Sequence, residues 1–127
     1  MKILGINWVG VKTADFSQTR SSFAEVMGLA VSYEKADFAA TVLPDGDKLE
    51  IFGPEGPDEA TQFGDNSVVA GFRVEGIEAA RAELQELGVV LLGETAGDPG
   101  GYQWQHFRAP DGKVFELCSD PRRQPQA

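Results

Sequence analysis

The stretches Pro44–Phe52, "PDGDKLEIF", and Pro110–Cys118, "PDGKVFELC", say nearly the same thing 66 residues apart. Pro44 aligns with Pro110, Asp45 with Asp111, Gly46 with Gly112 and Glu50 with Glu116. Proline presets φ and glycine accepts a positive φ, so each stretch reads as a tight turn feeding a strand. Each strand carries one glutamate in an otherwise apolar run. A recurrence of this kind points to two copies of one structural unit.

Working outward, "WVGVKTADFSQTRSSFAEVMG" lies over "VAGFRVEGIEAARAELQELG" with Trp8 on Val69 and Arg20 on Arg81, an offset of 61. Alternation predicts a strand in "INWVGVKT", with residues 6, 8, 10 and 12 on one side, and another in "SVVAGFRV". A helix is predicted from the N-cap Asp15 to Gly28, with Phe16, Thr19, Phe23 and Val26 on one face. A second is predicted to gather Ile77, Ala80, Leu84 and Leu87 and to close at Gly88. Further strands follow in "AVSYEK", "FAATVLP" and "DKLEIF", then in "VVLLG", "GYQWQHFRA" and "KVFELC". The predicted fold is α+β: two tandem βαβββ modules in a single domain. Module one spans about 3–53, a Gly-, Pro- and acid-rich connector 54–66, module two about 67–119 and a loose tail 120–127.

At 127 residues the chain is long enough to bury a core. Twenty acidic and 11 basic side chains leave a formal charge of -9, which repels phosphate backbones and argues against a nucleic-acid partner. The same surplus favours cationic ligands. Cys118 is the only cysteine, which excludes an internal disulfide and a multi-thiolate metal site. The opening "MKILGINWVG" lacks the pattern of a signal peptide, and no stretch has the length of a membrane span. These features are expected of a cytoplasmic protein without a membrane partner.

With "FRAPDGKVFEL" (Phe107–Leu117) ending the second βαβββ copy, the chain resembles the vicinal oxygen chelate superfamily. That superfamily includes glyoxalase I, extradiol dioxygenases and the bleomycin and fosfomycin resistance proteins. The resemblance spans roughly residues 3 to 119. It implies a curved mixed-sheet cup with helices outside, and a homodimer. In metal-binding members one ligand lies on the first strand and one on the last strand of each half. Carried here, the last-strand positions are Glu50 and Glu116, while the first-strand positions hold Trp8 and Val69, neither of which can ligate a metal.

Strand alternation alone would allow Glu50 and Glu116 a solvated face. The resemblance instead turns both into the cup, where two carboxylates repel and one pKa should rise unless a cation or a base sits between them. His106 is the only histidine. Trp104, His106 and Arg108 share one side of their strand, and relatives of the fosfomycin-resistance type place substrate contacts ten and twelve residues before the final glutamate, here His106 and Trp104. Trp8 and Phe38 complete the aromatic set, and Arg73 could anchor an anionic group or pair with a glutamate. The expected function is therefore binding of a small molecule, cationic or aromatic, by Trp8, Phe38, Glu50, Arg73, Trp104, His106 and Glu116, with no metal cofactor. The alternative is a lyase, isomerase or dioxygenase with a divalent ion on Glu50, His106 and Glu116. In an enzyme, Glu116 and His106 would be the catalytic pair.

Overall fold

The computed structural model describes residues 1–57 and 63–123. Part of the expected connector and the last four residues of the expected tail lie outside them. The elements run β1 (Ile3–Lys12), α1 (Phe16–Ser21), β2 (Ala30–Lys35), β3 (Phe38–Val42) and β4 (Lys48–Phe52). They repeat as β5 (Val68–Val74), α2 (Ile77–Glu86), β6 (Val90–Gly97), β7 (Gln103–Arg108) and β8 (Val114–Ser119). The fold is α+β, with βαβββ twice. Among the described residues no helix is long and apolar enough to cross a membrane.

The chain divides into two compact units, Trp8–Val69 and a second made of Met1–Asn7 with Ala70 onward. In the first unit the strands run β2-β3-β4-β1, with β1 parallel to β4 and the others antiparallel. In the second they run β5-β8-β7-β6, with β5 parallel to β8. The two PDG turns are built alike. Leu43 N–H donates to the Asp47 carbonyl and Ala109 N–H to the Lys113 carbonyl, each at 2.8 Å. Gly46 and Gly112 take φ of 93° and 88°, where a β-carbon would be strained. Asp45 and Asp111 each accept the backbone N–H two residues on.

The helices differ more. In α2, Ile77, Ala80 and Leu84 are buried and pack with Val74 and Leu117, against Phe72, Val89, Leu91 and Phe107. This contact covers one face of the second unit's strands, the one opposite Glu116. Leu87, expected on that stripe, is exposed because the helix has ended before it. The Asp15 carboxylate caps α1 by accepting Gln18 N–H at 3.1 Å. From Ser22 to Val26, however, the helix opens into a π turn, with Met27 N–H reaching the Ser22 carbonyl at 3.0 Å. The wider turn carries residues off the 3.6-residue stripe, so Val26 is 80% exposed rather than packed.

Candidate ligand-binding site

In the first unit, Gly10 and Ala40 flank Glu50 in register, one on each neighbouring strand. Neither has a side chain that could reach the carboxylate. Trp8, two residues before Gly10 and on the same side of β1, fills the gap: its indole folds over Gly10, where an added β-carbon would overlap the ring. Its Nε1–H donates to Glu50 Oε1 at 2.6 Å. Burial raises the Glu50 pKa above its usual 4.5, opposed by the indole bond and by the Lys48 charge. Trp8 meets Phe52 edge-on, and Phe52 meets Phe38 and Phe63 at 5.0 and 5.1 Å between ring centres. Phe38 is thereby part of an aromatic core.

In the second unit the register sets His106 and Gly71 beside Glu116, and Trp104 and Arg73 beside Cys118. Since Glu116 and Cys118 lie two apart on β8, all these positions share one face. Glu116 is 3% and His106 8% exposed. His106 Nε2 stands 3.2 Å from Glu116 Oε2, within ion-pair distance, yet not in the direction of a hydrogen bond. Burial lowers the His106 pKa from 6.5 to about 4, which makes the imidazole neutral at pH 7. Burial and the neighbouring Glu116 push the Cys118 thiol far above its normal range, so it is no nucleophile. Trp104 packs against Tyr102 at 5.6 Å between ring centres. Arg73 donates to the carbonyl of Arg123.

Two residues outside the expected set, Gln105 and Asn7, organise this face. Gln105, fully buried on the opposite side of β7, divides its amide N–H groups among the carbonyls of Leu92, Gly93 and His106. Its oxygen accepts from Arg81 Nε and Thr95 Oγ1. The irregular stretch of β6 between Leu92 and Ala96 is thus tied to the strand that carries His106. Asn7 accepts from Arg123 at 2.6 Å and donates to the Tyr102 hydroxyl at 3.2 Å. Polar residues on a strand ordinarily read as solvated, and nothing local in the sequence marks these two as buried.

The first-strand positions offer no metal ligand: Trp8 presents a donor N–H, and Val69 has no lone pair. Among the described residues no three His, Cys, Asp or Glu side chains gather as a metal cluster. The donor set does not fit the four-ligand arrangement of metal-binding relatives.

Fold and pattern together define a tandem βαβββ protein of the vicinal oxygen chelate type. Residues 5–117 match the Glyoxalase/Bleomycin resistance protein/Dioxygenase superfamily, and the chain belongs to it. No curated protein matches it significantly. Among solved structures it is similar to a superfamily member from Vibrio splendidus 12B01, at 21% identity and a TM-score of 0.65, covering 91% of this chain and 99% of that one. It is similar to methylmalonyl-CoA epimerase from Mycobacterium tuberculosis at 18% identity and a TM-score of 0.70, covering 93% and 89%. The Mn(II)-bound glyoxalase of Novosphingobium aromaticivorans gives 22% identity and a TM-score of 0.72, over 99% of this chain and 43% of that one. At these identities the likeness is one of fold.

Proposed function

We propose that the chain binds a small, flat organic molecule through the face bearing Trp104, His106 and Glu116, without a catalytic metal. The observation that carries this reading is the 2.6 Å bond from Trp8 to Glu50. It puts a donor where a metal-holding relative has a ligand, and it satisfies a carboxylate oxygen that would otherwise be open to a cation. In the second unit a neutral imidazole beside a buried carboxylate can accept or donate a proton to a ligand group. Trp104 and Tyr102 offer ring surface for stacking. The charge of -9 supports a cationic group on the ligand, as in sequestration of a positively charged aromatic compound.

The second reading, a divalent-metal lyase, isomerase or dioxygenase, is favoured by one observation: His106 and Glu116 are both metal-ligand types and stand 3.2 Å apart. Elemental analysis, with a Mn(II) titration followed by tryptophan fluorescence, separates the two. The expected result is no stoichiometric metal and no saturable response, while benzylamine moves the Trp104 indole and His106 ring signals in NMR spectra. Bound metal, or saturable Mn(II) binding that disappears in Glu116→Gln, would overturn the metal-free reading. Benzylamine leaving both signals in place would overturn the assignment of this face.

A further inference from the structure

Two buried side-chain nitrogens among the described residues find no hydrogen-bond partner: Arg73 Nε and His106 Nε2. Leaving a buried polar atom unpaired is costly, so each such atom in a folded protein calls for an explanation. Both lie on the same face of the same unit. Arg73 flanks Cys118 from β5, and His106 flanks Glu116 from β7. They are offset by about 7 Å along the strands and about 10 Å across them, within the span of one small molecule once the length of an arginine side chain is counted.

The guanidinium is already half engaged, and its partner is informative. It donates not to a carboxylate but to the backbone carbonyl of Arg123, the last residue of the 3-10 turn Pro121–Arg123. That turn is held from three sides. Arg123 N–H donates to the Asp120 carbonyl at 2.9 Å, the Arg123 side chain donates to Asn7 at 2.6 Å, and Arg122 pairs with the buried Asp120 at 3.0 Å. A neutral carbonyl is a weak match for a guanidinium, whose fork of donors suits a carboxylate taken in bidentate fashion. A carboxylate in its place would also reach Nε.

We propose that Arg73 receives a carboxylate of the ligand and that the Pro121–Arg123 turn is a clasp whose carbonyl holds that position until the ligand displaces it. The proposal rests on the ligand-binding reading of this face and adds to it the class of ligand: an aromatic zwitterion, with its carboxylate at Arg73 and its cationic donor group toward His106 and Glu116. Displacement exchanges a bond to a neutral acceptor for a bidentate ion pair and satisfies the idle Nε–H. Asn7 is a positioning residue for the clasp, acting through Arg123.

The test is a benzoate titration of the full chain, followed at the Arg73 Nε–H resonance and the Arg123 backbone amide. Both signals are expected to move together with one saturation curve. In Asn7→Ala, which loosens the clasp, saturation is expected at about fivefold lower benzoate, the worth of one ordinary hydrogen bond. In Arg73→Lys, which keeps the charge and loses the fork, benzoate binding is expected to weaken about tenfold. Benzoate that leaves Arg73 Nε–H unmoved in the wild-type chain overturns the proposal, whatever the variants do. Benzylamine then distinguishes the two failures: if it still moves His106 and Trp104 the face binds a ligand without a carboxylate anchor, and if it does not the underlying reading fails as well. An Asn7→Ala affinity equal to wild type overturns the clasp.

Discussion

In the first module the glutamate ending the repeat motif is met from one side, and in the second from the other. Glu50 lies between Gly10 and Ala40 and takes its hydrogen bond from Trp8 on β1. Glu116 lies between Gly71 and His106 and takes its neighbour from β7. Where module one puts bulk on its first strand, module two has Val69; where module two puts an imidazole on its third, module one has Ala40. The repeated motif preserves the carboxylate, and each module supplies a nitrogen by a different route. Duplication thus conserves the backbone of a site while its chemistry diverges at the neighbouring strands.

The same contrast extends to the reverse side of the third strand. Ala39 of β3 is simply packed, whereas its counterpart Gln105 joins β6, β7 and α2. Gln105→Ala is expected to have the largest effect among these changes, a loss of about 3 kcal/mol seen as a lower urea midpoint, because it strands Arg81, Thr95 and buried carbonyls. A loss under about 1 kcal/mol would mean that water replaces the amide and that the hub is dispensable.

The two glutamate sites should also respond to pH in opposite directions. The folded His106 pKa of about 4 lies below the usual 6.5, so the unfolded chain binds more protons between them. That contribution is present above pH 6.5 and is lost as pH falls toward 4, on the order of 3 kcal/mol in total. For Glu50 the folded pKa is raised, so the folded chain binds more protons and stability declines as pH rises from 4.5 through the folded value. Urea unfolding from pH 4 to 8 is expected to lose its rising limb in His106→Gln, while Glu50→Gln removes the falling contribution. Identical profiles for both variants would erase the contrast.

Gly10→Ala tests the first-strand route itself. The new methyl meets the Trp8 ring and is expected to cost about 2 kcal/mol in urea unfolding and to shift the indole N–H signal. Combined with Trp8→Leu the penalty should shrink, since the clash has gone; strict additivity would show that the indole does not rest on Gly10. The smallest effect is expected at the exposed Val26, where alanine should change stability by less than about 0.5 kcal/mol. A larger loss would mean that the π turn packs after all.

Much of this was legible in the residues. The PDG turns need glycine and proline where the chain must reverse, and two-residue alternation places Trp104, His106 and Arg108 on one side of β7. Other features depended on partners remote in the chain. The π turn has no sequence signature that a helical stripe would reveal, and the burial of Gln105 depends on an irregular strand 12 or 13 residues away. Asn7 and Arg123, 116 residues apart, could be joined only by folding.

The sequence by itself therefore determined the duplicated βαβββ plan, the two turns and the pair of last-strand glutamates, because turn chemistry and strand period act over a few residues. Only the tertiary structure decided which nitrogen meets each glutamate, which helix packs its stripe and what lies over Arg73. Those outcomes depend on burial and on register between distant strands, and no local pattern encodes either.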